Sequence, residues 1–407
     1  MTVTAVPTRP TAVLGLLFVA AFTMDCAEML VLGMLDLISA GLAVSVPAAG
    51  ALVTASAAGC AIGGPVLALL TTRLDRRRVL LWSAAVFVLL HLVPVLVDGY
   101  SLFLVARVAI GALQGLFIAA AFTTATSIVP PEQAGRAIAV VISGCASASA
   151  LGMPMGTVLG YALGWRASFV AVVVVGAGVL LAAAVVLPSV PTSPEAQATG
   201  QSRHAFAPRV LAVLAVCCLI FAGIQSALTY LVPFLGEVTG VSAAAAIGGF
   251  LMLYGVATTV GSAAGGRFAD TDAARTLMLG SVGVAASLFT MHLLGDSAVV
   301  VAAAVLVLGL CGMGMAPAMQ HRVVTLAGPG APLAASLPAS AVNAGIAGGS
   351  LAGGAAIDHA SLPAAILTGA VIALAAVAAA VATRRLRPPP APTDGHAAPE
   401  AAEPVAA

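Results

Sequence analysis

The chain has 407 residues, of which 61% are hydrophobic and only 8% are charged, and its formal net charge at pH 7 is +1. Ordinary soluble domains contain about 25% charged residues, so this composition excludes a soluble globular protein. The near-zero net charge also gives no reason to expect a nucleic-acid partner. We therefore expect an integral membrane protein whose main surroundings are the lipid bilayer.

Apolar runs of about 20 residues recur along nearly the whole chain, and that length of helix crosses roughly 30 Å of hydrocarbon. We predict an all-α integral membrane fold with twelve transmembrane helices. The predicted spans are 11–38, 47–71, 79–97, 101–127, 135–161, 164–187, 209–236, 242–266, 275–294, 297–320, 332–357 and 361–383.

The basic residues are distributed unevenly between the predicted loops. All sixteen are arginines, and fourteen of them lie in alternate loops or termini. Such an excess marks the cytoplasmic side of a membrane protein. We therefore predict that both termini are cytoplasmic, which agrees with an even number of spans.

A polar segment from Pro188 to Arg209 separates six predicted spans from six others. VSVPAAGALV from Val44 and VSAAAAIGGF from Val241 open equivalent spans, each with a serine suited to cap a helix. We predict a duplicated unit. Its parts are an N-terminal six-helix bundle (1–187), a cytoplasmic linker (188–208), a C-terminal six-helix bundle (209–384) and a disordered, Pro- and Ala-rich tail (385–407).

Three acids interrupt the first apolar run. Asp25 lies roughly 21 Å from the predicted inner end, near the bilayer midplane, Glu28 follows after three residues, and Asp36 after eleven. A continuous helix would place all three on one face. Burial disfavours a charged carboxylate and a neighbouring acid disfavours it further, so we expect Asp25 and Glu28 to face water and to exchange protons. For Asp36 we expect simple solvation.

Other polar residues within the spans are candidates for binding or pairing. Arg107 could pair with Asp25 or Glu28, or extend to the outer headgroups, and Gln114 lies on nearly the same face. Gln225, Tyr230 and Asn343 could hydrogen-bond a solute or join helices to one another. The six cysteines fall within spans and are interpreted as small apolar residues with free thiols. We expect no metal and no cofactor.

Glycines recur every fourth residue in two spans. In the fifth these are Gly152, Gly156, Gly160 and Gly164, with Pro154 between them, and in the eleventh Gly345, Gly349 and Gly353. Such stripes let helix backbones approach closely, and simple helix packing explains each glycine by itself. Pro154 can bend its helix.

Several phrases together resemble the major facilitator superfamily. TTRLDRRRVLL (71–81, with Arg76, Arg77 and Arg78) and GGRFAD (265–270, with Gly266 and Asp270) are similar to its short basic loop, which implies a latch between the two halves. GMPMGTVLGYALGWRASF (152–169) resembles the signature of its antiporters. LFLVARVAIGALQG (102–115) resembles the fourth helix of its drug–proton antiporters, which implies a role for Arg107 in proton transfer.

The phrase AEMLVLGMLD (27–36) resembles the first helix of chloramphenicol and arabinose exporters in the same group. The resemblance implies a monomeric, proton-coupled efflux transporter of a small organic solute in a bacterial cytoplasmic membrane. A sugar or purine nucleoside exporter is the nearest alternative, and a non-transporting membrane sensor or scaffold a more distant one. We expect no enzymatic activity, because no metal-binding spacing, nucleophile elbow or phosphate-binding loop is present in the sequence.

Overall fold

The computed structural model describes residues 10–189 and 201–387, and within these ranges every regular element is a helix. Arg9 and the predicted tail from residue 388 onward lie outside the described residues, as does the linker segment 190–200. We call residues 10–189 the N-terminal half and residues 201–387 the C-terminal half.

The helices of the N-terminal half are α1 Pro10–Gly33, α2 Leu35–Leu42, α3 Val46–Ala58, α4 Gly64–Leu70, α5 Arg76–His91, α6 Val93–Leu96, α7 Tyr100–Ser127, α8 Ala134–Leu163 and α9 Trp165–Val186. A π-helix, Gly59–Gly63, joins α3 to α4, and a 3-10 turn, Pro131–Gln133, precedes α8.

The helices of the C-terminal half are α10 Gln201–Ala205, α11 Pro208–Leu228, α12 Leu231–Glu237, α13 Ala244–Leu293, α14 Ala298–Gly314, α15 Ala316–Ala327, α16 Ala331–Ala334, α17 Leu337–His359 and α18 Leu362–Thr383. A 3-10 turn, Gly328–Gly330, lies between α15 and α16.

Ten helical segments of the described chain are long and apolar enough to cross a membrane. One of them, α13, has 50 residues and covers the predicted eighth and ninth spans, with non-helical backbone angles at Asp272 between them. The predicted eleventh span corresponds to α17, which has 23 residues and is not among the ten. The sequence of α17 is rich in Gly, Ala and Ser and is therefore less apolar. The chain is thus a multi-pass membrane protein, and the count of twelve stays a prediction.

The two serines predicted to cap equivalent spans behave differently. The Ser45 hydroxyl accepts a hydrogen bond from the Ala48 amide at 3.2 Å, as a helix cap should, and Pro47 lies in the first turn. The prediction that Ser242 caps the equivalent helix was wrong, because α13 begins at Ala244, and its N-cap residue, Ala243, has no capping side chain. Ser242 lies one residue too early to cap.

The first apolar run is divided into two helices. Backbone angles at Met34 (φ −132°, ψ 22°) end the continuity between α1 and α2. Asp36 therefore does not continue the face of Asp25 and Glu28, and the prediction of one face for all three acids was wrong. The C-terminal half has the same division, because Tyr230 separates α11 from α12 with similar angles (φ −108°, ψ 14°).

Large apolar side chains cover much of the outside of the molecule. Val185 is 85% exposed and Val299 is 79% exposed, as expected where lipid replaces water. Inside each half, equivalent helices pack together: α8 packs against α1, and α17 packs against α11.

The two halves meet through α3 with α17 and through α8 with α13. The Ser350 hydroxyl donates to the Gly50 carbonyl across this boundary at 3.1 Å. Gly50 lies one turn into α3, at the end of the bundle opposite to Pro10 and Thr383. We call this end, which contains the α2–α3 and α12–α13 connections, the opposite end.

Candidate functional site

A cluster of polar side chains lies within the N-terminal half, about midway along α1. Asp25 is partly exposed, and its Oδ1 accepts a hydrogen bond from Gln114 Nε2 on α7 at 2.5 Å. The Cys145 thiol on α8 donates a second hydrogen bond to the same carboxylate. The fold therefore brings together one predicted proton-coupling residue and one predicted binding residue from helices that are far apart in sequence.

Glu28 lies one turn further along α1 and is 8% exposed. Arg107 on α7 is fully buried, and its Nε donates to the Leu52 carbonyl of α3 at 3.1 Å. Arg107 therefore does not extend to the outer headgroups, and that alternative is excluded. Glu28 and Arg107 are close enough to interact electrostatically.

The acids and Arg107 nevertheless form no close ion pair. Within the described ranges, the one salt bridge joins Arg166 to Asp98, far from this cluster. Arg107 Nη1 and Nη2 and Gln114 Oε1 have no hydrogen-bond partner among the described residues. Buried donors and charges without partners are costly and concentrate at functional sites. The side chains of this cluster can therefore form further hydrogen bonds to a bound molecule.

Arg107 and Gln114 lie inside the N-terminal half because the backbone of α7 approaches α3 and α4 closely. A Cβ on Gly111, one turn after Arg107, would overlap the Ser56 carbonyl of α3. The contact continues along the π-helix and into α4, since a Cβ on Gly115 would lie 3.3 Å from the Cys60 carbonyl oxygen and 2.9 Å from the Gly64 Cα. Single-turn π segments inside helices are frequent at functional sites. The absence of side chains at these glycines lets α7 pack deep against α3 and α4.

Three thiols border the acids and were not predicted to have any role. Cys26 follows Asp25, Cys60 lies in the π-helix close enough to both acids to interact with them electrostatically, and Cys145 hydrogen-bonds Asp25. All three are partly exposed and free. Nothing in the sequence places α1, α8 and the π-helix around one point, so a cysteine in an apolar run could not be distinguished from a packing residue.

The candidates in the C-terminal half bond within that half and lie apart from the acids. Gln225 Nε2 donates to the Thr229 hydroxyl at 3.1 Å, and Asn343 Nδ2 donates to the Ala339 carbonyl of its own helix at 3.0 Å. Tyr230 is 1% exposed and its hydroxyl donates to the Ser350 carbonyl at 2.9 Å. These bonds agree with the alternative in which the three residues stabilise helices.

Asp36 lies at the opposite end, where its Oδ2 accepts a hydrogen bond from the Tyr161 hydroxyl. A cavity of about 440 Å³ adjoins this pair and lies between the two halves. Its wall includes α2 and α8 of the N-terminal half, and it includes Pro233 and Glu237 of α12. Asp36 is thus partly buried and bonded, where we had expected simple solvation.

A model of one protein family matches residues 17–337, from α1 to the start of α17, and its description is Major Facilitator Superfamily. The chain belongs to this superfamily. It is therefore a membrane transporter and not an enzyme.

Named relatives include efflux proteins. The chain is 31% identical to a chloramphenicol resistance protein of Streptomyces lividans over 343 residues, which is 83% of this chain and 86% of that protein. It is 24% identical to a probable sugar efflux transporter of Mannheimia succiniciproducens over 330 residues, 81% of this chain and 83% of that protein.

A solved structure shares the fold at low identity. It is a bacterial homolog of the human lysosomal transporter Spinster in an inward-facing and unoccupied conformation. The TM-score is 0.76 at 15% identity, with 95% of this chain and 100% of that chain covered.

The transporter's glycine stripes pack helices within each half. Cβ atoms on Gly152 and Gly156 would lie 3.1 Å from the Cys26 Cα and 3.0 Å from the Leu30 Cα of α1, and one on Gly160 would lie 2.5 Å from the Met34 sulfur. Gly349 meets Ala222 of α11 in the same way. Gly164 is not part of the stripe, because α8 ends at Leu163 and Gly164 has φ +86°. Pro154 lies within α8, which continues through it.

The two basic loops hold helix starts in place. Asp75 caps α5 by accepting from the Arg77 amide at 2.9 Å, and Arg77 Nη2 donates to the Ala184 carbonyl of α9 at 2.6 Å. Arg76 begins α5 and Arg78 lies in its first turn. In the second loop, the Arg275 amide donates to Asp272 at 2.9 Å.

The residues selected in the second loop from the sequence are not the ones that cap. Asp270 is exposed, and a Cβ on Gly266 would meet no atom within 4 Å. Among the described residues, no group of three or more His, Cys, Asp or Glu side chains could hold a metal ion.

Proposed function

We propose that this chain is a proton-coupled exporter of a small, moderately polar organic solute, of the chloramphenicol type, in a bacterial cytoplasmic membrane. One observation supports the proposal most. The Asp25 carboxylate accepts a hydrogen bond from the Gln114 amide at 2.5 Å, midway along a membrane-spanning helix, with Glu28 one turn away. Within the described ranges, neither acid forms a salt bridge. Ionisable side chains at this depth in a membrane are energetically costly, which favours a functional role for Asp25 and Glu28.

The hydrogen bonds around Asp25 suggest how a proton and a solute could exclude one another. An ionised Asp25 accepts from Gln114 Nε2 and the Cys145 thiol. A protonated Asp25 becomes a donor and can bond Gln114 Oε1, which has no partner among the described residues. A hydroxyl or amide of the solute would compete for the ionised carboxylate. Proton and solute would therefore occupy the site alternately, as antiport requires.

The other residues take supporting roles in this proposal. Arg107, buried beside Glu28, would hold the second acid in reach of the first by its positive charge. Gln225, Tyr230 and Asn343 remain candidates for contact with the solute in other conformations. The arginines 76, 77 and 78 and the glycines of α8 would act in the conformational change, as the family resemblance implies.

The arrangement of the halves supports an inward-facing state. They contact at the opposite end through Gly50 and Ser350. If both termini are cytoplasmic, as the arginine distribution predicts, this contact closes the outer side. Alternating access would then require separation at Gly50 and Ser350 and closure at the other end. We further propose twelve spans, two six-helix bundles and a monomeric transporter.

Transport into inverted membrane vesicles tests the proposal. An imposed pH gradient, acid inside, should drive accumulation of one solute from a panel containing chloramphenicol, arabinose and inosine. Asp25→Asn and Glu28→Gln should each lower gradient-driven accumulation at least tenfold, because the carboxylate that binds the proton is lost. Asp98→Asn is the matched control, since Asp98 is an exposed acid outside the cluster. Normal accumulation in both Asp25→Asn and Glu28→Gln would exclude coupling through these acids.

The same panel separates the alternatives. Accumulation of arabinose or inosine without chloramphenicol would favour the sugar or nucleoside exporter, which agrees with the similarity to a probable sugar efflux transporter. A sensor or scaffold would give no solute-dependent proton flux with any member of the panel.

A further inference from the structure

A basic cleft lies where the C-terminal half begins, at the end of the bundle that contains Pro10 and Thr383. It has a volume of about 580 Å³, and the described residues that line it include Arg203, His204 and Arg209 and no carboxylate. Phe206 also lines the cleft, with Ala207 and Pro208, and is 51% exposed. Three basic side chains around one cleft, with no acid among its described lining residues, would attract an anionic group.

Two contacts fix the cleft in position. Ala205 is fully buried where α10 packs against the turn Gly328–Gly330 and α16. Arg209 Nε donates to the Leu326 carbonyl of α15 at 2.7 Å, while Arg203 is exposed and forms no hydrogen bond with the described residues. Arg209 is thus fixed by a neutral carbonyl, and Arg203 lies six residues before it. Neither arginine forms a salt bridge with the described residues.

The cleft lies at the level of the membrane surface. The membrane-spanning segment Pro208–Glu237 starts at its edge. Leu211, in the first turn of α11, is 46% exposed, and Phe206 has an exposed apolar ring next to the basic groups. Basic side chains above an apolar, lipid-facing wall match a phospholipid, whose phosphate and acyl chains have the same order.

We propose that this cleft binds the phosphate group of an anionic phospholipid headgroup, with Arg203, His204 and Arg209 around the phosphate and Phe206 and Leu211 against the acyl chain. This site is separate from the acid cluster and does not depend on the proposed transport activity.

Native mass spectrometry of the purified full-length chain tests the site. The protein is first incubated in detergent micelles that contain both phosphatidylglycerol and phosphatidylcholine. After transfer into the mass spectrometer, it should retain phosphatidylglycerol in preference to phosphatidylcholine. Arg203→Gln and Arg209→Gln should each weaken its retention about fivefold, because one Arg near an anionic lipid surface contributes about that factor. Arg267→Gln, an exposed arginine on α13, is the matched control and should have no effect. Arg203→Gln breaks no hydrogen bond of the described chain, so its result is independent of folding.

Three results would overturn the assignment. Equal loss of phosphatidylglycerol in Arg203→Gln and Arg267→Gln would show general electrostatic attraction only. No loss in either variant would show that the lipid does not bind at this cleft. Full displacement of the lipid by millimolar inorganic phosphate would show that a free phosphate is the ligand. Retention of the lipid in phosphate supports the proposal.

Discussion

Gly255 on α13 offers a direct way to separate the two halves at their boundary. A Cβ on Gly255 would overlap the Ala150 Cα of α8 and lie 2.5 Å from the Ser149 carbonyl oxygen. Both are backbone atoms, so no change of rotamer relieves the clash. Gly255→Val should therefore cost about 1–3 kcal/mol in the arrangement where the halves touch. Because this contact disappears when the halves separate, the equilibrium should move roughly 5–150-fold toward the separated state.

Spin labels on Ala40 and Gly236 would measure that shift. Both positions border the cavity between α2 and α12 at the opposite end. The labels are attached to cysteines introduced into a background without the six native cysteines. Double electron–electron resonance should then give one short label-to-label distance for the parent chain and an additional, longer distance for Gly255→Val. Gly249→Val is the control on the same helix, because its Cβ meets no atom within 4 Å. Unchanged distances in a folded Gly255→Val protein would refute the reasoning.

Two further substitutions test packing inside the C-terminal half. Gly349→Leu should lower the melting temperature of the detergent-solubilised protein, because its Cβ would lie 2.7 Å from the Ala222 Cα. It should not add a longer distance between the spin labels, since both residues belong to the same half. Gly348→Leu is the control and should be neutral, because a Cβ on Gly348 would meet no atom within 4 Å. Tyr230→Phe removes the hydrogen bond to the Ser350 carbonyl and should reduce the free energy of unfolding in denaturant by about 1 kcal/mol. Tyr254→Phe is the control, because the Tyr254 hydroxyl has no hydrogen bond among the described residues. A Tyr230→Phe variant as stable as the parent would mean that the bond contributes nothing.

The sequence could predict the positions of the spans because a bilayer demands long apolar helices. It could not predict the breaks inside a single apolar run. Gly33 precedes the break at Met34, and Pro233 follows the break at Tyr230. Single glycines and prolines also occur inside unbroken helices of this chain, such as Pro154 in α8, so these two residues did not show that Asp36 would leave the face of Asp25. The break at Asp272 was easier to predict, because it lies in the polar stretch 267–274 between the predicted eighth and ninth spans.

Partners across the fold were the least predictable part of the site. The sequence identified Asp25 and Gln114 because polar residues are rare within membrane spans. It could not show that Gln114 and Cys145 both reach Asp25, because these contacts depend on how α7 and α8 pack against α1. The glycines at 111, 152 and 156 make that packing possible. The spacing of Gly152 and Gly156 predicted close contact but not which helix they would meet, and no repeat marked Gly111.

The central claim is that a solute and a proton compete for the acids of α1. Proton release by the purified protein in weakly buffered detergent, followed with a pH-indicator dye, tests it most directly. Addition of the solute identified in the vesicle panel should release protons from the parent chain, and Asp25→Asn with Glu28→Gln should abolish that release while Asp98→Asn retains it. Equal proton release from the parent and from the double variant would contradict the account.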